Sequence, residues 1–271
     1  MSLQMKYYDH LKKINSSRNG GRGGLCRLVA AYNLKYLFLQ PAIVSLLFRN
    51  RYQPLKKLFY TVLVGDYDRL NEVPQRLKNW DYVCYTDNPE LKSDSWEIRF
   101  LDNPLGLDPI RLSRYYKINN HLVDTGYDLS VYTDANIRIR GDLDTFLGQA
   151  FPRQSVFSLL LHPFHFSLEE EVKLCVEQEK DNPLLLRDQY NHYVQSGYRD
   201  LLPHINARMM IRKTGSPAVR NLMENWFEQL MKWSKRDQLS FNYVLSICPE
   251  VTPDYIPYWI FRRYFKRMDH R

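Results

Sequence analysis

Leu58-Phe-Tyr-Thr-Val-Leu-Val64 is an unbroken run of β-branched, aliphatic and aromatic residues closed by Gly65-Asp66. A strand with one face in water alternates apolar and polar residues, so a continuous run predicts a strand covered on both faces. Such a strand needs layers above and below it, and the chain supplies elements in alternation. Asp81–Thr86 and Trp96–Leu101 read as further strands. Asp108-Pro109 offers an N-cap and a proline at the first helical position for a helix to about Asp124, and Leu129–Thr133 is a strand leading directly into Asp134. Strand, helix and strand in turn predict an α/β fold with a mixed, mainly parallel central sheet.

The second half continues the pattern. Ser155–Leu161 and Asn206–Arg212 read as strands, Ser167 with Glu170 makes a capping box for a helix to about Lys180, and Ser216-Pro217 opens another helix. In that last helix Val219, Leu222, Met223, Trp226, Phe227, Leu230 and Trp233 fall near one face and are expected in the core. No repeat and no second boundary interrupts the body. The expected organisation is a single domain over residues 56–271 behind a basic, helical N-terminal extension over residues 1–55.

The formal charge of +8 invites a nucleic-acid reading until it is divided by position. Eleven Lys and Arg against Asp9 alone put +10 on residues 1–57, leaving −2 for the rest of the 271-residue chain. The apolar run Tyr36–Phe48 has 13 residues, short of the roughly 20 a membrane span needs. A basic, apolar, non-spanning segment suits contact with an anionic membrane surface, and it equally suits a helical extension packed on the body. The glycine-rich stretch Arg18–Gly24 reads as a flexible linker in preference to an RNA-binding fragment, so nucleic acid is not favoured. Cys26, Cys84, Cys175 and Cys248 are far apart and without C-x-x-C spacing, which predicts reduced thiols in a cytoplasmic protein, held at the inner membrane face if the two basic ends, residues 1–57 and the stretch with Arg262, Arg263, Lys266, Arg267 and Arg271, engage it.

The motifs of P-loop NTPases, dinucleotide enzymes, α/β-hydrolases and zincins are absent. What remains is a set of polar residues at strand ends, where open α/β sheets bind ligands. Asp134 and Asn136 follow a buried strand as Asp-Ala-Asn; two oxygen donors so placed can hold Mg²⁺ or Mn²⁺ against a diphosphate, or form an Asx-type turn. On the helix after Asp108, Arg111, Arg114, Lys117 and His121 fall in one arc and Leu112, Tyr115, Tyr116, Leu122 and Val123 in the opposite one. The cationic arc is either a phosphate-binding face or a solvated one, and Asn119 projects from the apolar arc, where an amide needs partners. Asp237 and Gln238 stand at the expected start of a helix, as cap residues or as ligands for sugar hydroxyls facing the same cleft as Asp134. His162 and His165 close a strand and are two imidazoles without a third ligand, more often a structural pair.

Taken in order, Gly65-Asp66-Tyr67-Asp68, Asp81-Tyr-Val-Cys-Tyr-Thr-Asp87-Asn88, Trp96-Glu97-Ile98, Asp108-Pro-Ile-Arg111-x-x-Arg114-x-x-Lys117, Asp134-Ala-Asn136, His162-Pro163 and Arg236-Asp237-Gln238-Leu-Ser-Phe241 resemble the glycosyltransferase-like domain of bacterial polysaccharide clusters and plant mucilage-related proteins. The resemblance covers about Leu58 to Leu245. It implies a GT-A-like fold and transfer of a sugar from a UDP- or GDP-linked nucleotide-sugar to a surface-polysaccharide or lipid-linked glycan acceptor. On that basis Asp134 and Asn136 stand where the donor diphosphate binds, usually through Mn²⁺ or Mg²⁺. The departure from Asp-x-Asp leaves Arg111, Arg114 and Lys117 as alternative neutralising groups. Asp66 stands at the position of the nucleotide base and ribose; Asn119, His162 and Gln238 complete the expected donor set. Asp237 is expected either to touch the donor sugar or to deprotonate the acceptor. A catalytically idle nucleotide- or glycan-binding module of the same fold is the rival reading.

Overall fold

The computed structural model describes residues 54–65, 67–164 and 167–270; the N-terminal extension with its apolar run, Cys26, Asp66 and His165 lie outside the described residues. Nine strands are described: β1 (Lys57–Leu63), β2 (Trp80–Thr86), β3 (Glu97–Phe100), β4 (Leu129–Thr133), β5 (Ile137–Ile139), β6 (Phe157–Leu161), β7 (Ile205–Lys213), β8 (Asp254–Ile256) and β9 (Phe265–Arg267). Seven form one sheet in the order β3-β2-β1-β4-β7-β6-β8, and β5 and β9 pair as a separate ribbon. β1 is parallel to β2 and β4, β2 to β3, and β6 to β8, while β7 runs antiparallel between β4 and β6. This is the expected mixed, mainly parallel α/β sheet in a single domain.

The helices are α1 (Pro109–Ile118), α2 (Asn120–Val123), α3 (Leu143–Ala150), α4 (Leu168–Glu177), α5 (Pro183–Gln195), α6 (Pro217–Lys232), α7 (Asp237–Ile247) and α8 (Tyr258–Tyr264). They explain why β1 is apolar throughout: all seven of its residues are buried. Leu58, Tyr60 and Val62 pack into a layer with Leu112 of α1, Trp226 of α6 and Phe241 of α7. Phe59 and Leu63 point into the opposite layer with Phe146 of α3, Phe261 of α8 and Phe265 of β9. A smaller cluster joins α4 and α5 through Leu168, Val172, Leu186 and Tyr193.

Two irregularities position the site. The helix expected to reach Asp124 stops at Ile118 and resumes for one turn. Its last carbonyls are taken from the helical ladder: the Tyr60 hydroxyl donates to the Lys117 carbonyl at 2.7 Å, and the Arg212 guanidinium donates to those of Ile118 at 2.5 Å and Lys117 at 3.3 Å. The interruption turns Leu122 and Val123, expected in the core, out to solvent. The second irregularity is in β7, where pairing with β6 jumps from Leu159 opposite Met210 to Leu160 opposite Asn206. Ala207, Arg208 and Met209 thus have no register partner on β6, a bulge of the kind that re-aims a side chain at a sheet edge.

Candidate active site

The carboxyl ends of β1, β4 and β6 and the amino end of β7 meet at one edge of the sheet, where a cavity of about 650 Å³ opens. Asp108 starts α1 by accepting from the Ile110 and Arg111 backbone N–H groups, and two turns later the helix delivers Arg114 and Lys117 to the cavity wall. Lys117 Nζ lies 2.6 Å from Asp237 Oδ2, 3.6 Å from Asp134 Oδ1 and 4.9 Å over the Tyr132 ring. Arg114 Nε lies 3.2 Å from the same Asp237 oxygen. Lys117 is 2% and Asp237 3% exposed, so their charges interact out of water. Burial alone would raise the Asp237 carboxyl; Arg114 and Lys117 outweigh it and hold the group well below the usual carboxylate range. Burial would lower Arg114, but Asp237 holds it above its ordinary value. Burial and the adjacent Asp134 carboxylate keep the Tyr132 hydroxyl protonated, and it donates to Asp134 Oδ1 at 2.8 Å.

Asp237 is the first residue of α7 and does not cap it. Its Oδ1 accepts from the Gln238 N–H at 3.1 Å, and its carbonyl accepts from the Trp226 indole at 2.9 Å. The core stripe of α6 therefore anchors a site residue.

Among the described residues, the cavity wall brings together seven expected ones: Arg114, Lys117, Asp134, Asn136, His162, Asp237 and Gln238. His162 stands at the end of β6 with its ring 5.6 Å from that of His204. Arg111 and Asn119, expected in the donor set, are not in this wall. Arg111 Nε and Nη2 donate to the Leu230 and Trp233 carbonyls at 3.0 and 2.9 Å, so its charge closes the C-terminus of α6. Asn119 is buried at the break between α1 and α2.

The structure adds residues that the sequence reading did not single out. Arg208 at the bulge enters the cavity wall, its Nε donating to Asn206 Oδ1 at 2.8 Å. The C-terminal segment returns as β9 beside β5, and the Met268 N–H bonds to the Asn136 carbonyl at 2.8 Å. This brings Arg267 and His270 to the wall, with His270 Nδ1 2.7 Å from Asp68 Oδ1. A charge within an apolar strand was a visible signal for Arg208. Arg267 belongs to a basic C-terminal stretch, but nothing local marks it or His270 as a cavity residue; both reach the cavity through a long-range pairing.

For a divalent ion, one of the two Asp134 oxygens is already engaged, and the Asn136 nitrogen is turned to another partner. Asp134 faces the Lys117 ammonium and the Tyr132 hydroxyl, while Asn136 turns its amide nitrogen towards the Met268 carbonyl at 3.3 Å. Among the described residues no group of three or more His, Cys, Asp and Glu is arranged to hold a metal. Lys and Arg nevertheless outnumber Asp and Glu around the cavity by seven to four, which suits an anionic ligand.

The fold is an α/β sheet with a cation-rich cavity at its carboxyl edge, braced by a buried carboxylate and ammonium, at the edge where open sheets of this kind bind ligands. The model of the TOD1/MUCI70, glycosyltransferase-like domain family matches residues 77–259, about two thirds of the chain, and the chain belongs to that family. No curated protein matches the sequence. Among solved structures, the apo crystal structure of mouse xyloside xylosyltransferase 1 is similar over 74% of this chain and 85% of that chain, with a TM-score of 0.42 and 11% identity.

Proposed function

We propose that the protein is a GT-A-type enzyme that transfers a sugar from a nucleotide-sugar to a hydroxyl of a glycan or lipid-linked acceptor. The observation that carries this reading is the placement of Lys117 between Asp134 and Asp237 in the wall of the sheet-edge cavity, in a chain of a glycosyltransferase-like family. In the reaction a bond forms between the acceptor oxygen and the sugar's anomeric carbon. The bond from that carbon to the phosphate oxygen breaks with its electron pair, and the acceptor proton passes to a base. The positive cavity stabilises the charge that develops on the departing diphosphate. Asp237, held ionised by two cations, is a weak base; it suits accepting hydrogen bonds from donor-sugar hydroxyls and orienting Lys117 and Arg114. The basic residues 1–57 would keep the enzyme at an anionic membrane surface, near a lipid-linked acceptor.

The test is release of nucleoside diphosphate from a panel of UDP- and GDP-linked sugars by the full chain, with EDTA and with Mn²⁺. Lys117→Met is expected to lower the rate by about a hundredfold or more while the chain still folds. Saturable binding without turnover of any donor would favour the idle binding module. If no donor turns over and none shifts the melting temperature, the enzymatic reading falls.

A further inference from the structure

We propose that this cavity holds a pyrophosphate group on Arg208 and Arg267, without a divalent ion. The proposal rests on the nucleotide-sugar reading for the whole ligand, and on the geometry below for the anion site itself.

The first argument is electrostatic. Lys117 and Arg114 are matched one for one by Asp237 and Asp134, so the buried cluster is neutral before any ligand arrives. The surplus positive charge lies elsewhere in the wall. Arg208 is held by its stem through Asn206, and its guanidinium forms no ion pair with a carboxylate among the described residues. It is half-buried, and the bulge in β7 places it beside Asp134, whose backbone N–H donates to the Arg208 carbonyl at 3.0 Å. Burial lowers its pKa; Asp134 and Tyr258 oppose that effect, and the positive charge of Arg267 adds to it. Arg208 and Arg267 both line this one cavity, and like charges in one wall favour an anion there.

The second argument is geometric. Arg267 stands opposite Ile137 in the β5–β9 ribbon, one residue beyond the Asp-Ala-Asn turn. Its Nη2 lies 3.4 Å from His270 Nε2, and the tail is tied down by the contact of His270 with Asp68. Each guanidinium offers a planar fork that matches two oxygens of one phosphate, so two forks suit the two phosphates of a pyrophosphate. An ion in this place would have to neutralise the same charge. Asp134 of the Asp-Ala-Asn turn already shares one oxygen with Lys117, and Asn136 presents an amide nitrogen to a backbone carbonyl.

Calorimetric titration of the full chain with inorganic pyrophosphate and with UDP and GDP, in EDTA and again in Mn²⁺, tests the site. Pyrophosphate and at least one nucleoside diphosphate should bind in EDTA, with Mn²⁺ changing the affinity by less than about threefold. Arg208→Ala and Arg267→Ala should each weaken both ligands by about tenfold or more, with melting temperatures near that of the unaltered chain. If Arg208→Ala does not fold, Arg208→Lys, which keeps the charge and loses the fork, and the exposed Arg267→Ala carry the test. Binding that appears only with Mn²⁺, or that neither substitution weakens, overturns the proposal. Pyrophosphate binding sensitive to both arginines, with no gain from any nucleoside, would uphold the anion site and defeat the nucleotide-sugar reading.

Discussion

Asp237 shows how one residue acquires a function from its surroundings. Its place ahead of an apolar run is that of an ordinary cap, yet its carboxylate pairs with Lys117 and Arg114 from a helix more than a hundred positions earlier in the chain. Removing one member of a buried pair strands the others, so Asp237→Asn should cost about 3–5 kcal/mol in urea unfolding at pH 7. The further change Lys117→Met should recover part of that loss, because one stranded charge goes with it. The pH dependence has a definite sign. Against the effect of burial, Arg114 and Lys117 hold the folded carboxyl below its unfolded value of about 3.9. The stabilisation is therefore complete above that value and fades as pH falls through the folded one. Unfolding midpoints of the unaltered chain and Asp237→Asn should stay apart at neutral pH and begin to converge only below about pH 4.

Among the elements, local chemistry sets where helices begin and long-range contacts set where α1 ends. Ser167 accepts from the Glu170 N–H at 3.1 Å at the start of α4, as its capping box predicts, and Ser167→Ala should cost about 1 kcal/mol in chemical denaturation. Asn182-Pro183 opens α5 with the same kind of signal as Asp108-Pro109. The end of α1 has no such signature. Tyr60 and Arg212, from two strands of the sheet, capture its last carbonyls and so hold the backbone of Lys117. Arg212→Leu would leave the Ile118 carbonyl buried without its donor, at about 1–3 kcal/mol. Since Lys117 moves with its backbone, that variant should also lose more affinity for UDP than Arg111→Leu, whose partners lie at the far end of α6.

On the scale of the whole molecule, the charge of the chain divides between a basic extension and a slightly acidic body in which Lys and Arg outnumber Asp and Glu around one cavity. The three described cysteines, Cys84, Cys175 and Cys248, are buried and free, as their spacing predicts. Burial pushes the Cys84 thiol up to about 12 and the Cys175 thiol up to about 11. Iodoacetamide at pH 8 should therefore label none of the three until the chain is denatured, with intact mass as the readout. The sequence by itself determined six of the seven strands of the sheet and the helices α1, α6 and α7 over one face, because continuous apolar strands and capped amphipathic helices carry their signals within a few residues; α3 and α8 over the other face were not read from it. It also brought Asp134, Asn136, Arg114, Lys117 and Asp237 into view as strand-end and helix-face residues. Only the tertiary structure decided their relations: Arg111 turned away to close α6, Arg208 turned inward at a bulge, and Arg267 and His270 joined the cavity from the last turn of the chain. Electrostatic pairing and strand register join residues by distance in space, and nothing in a local sequence window records it.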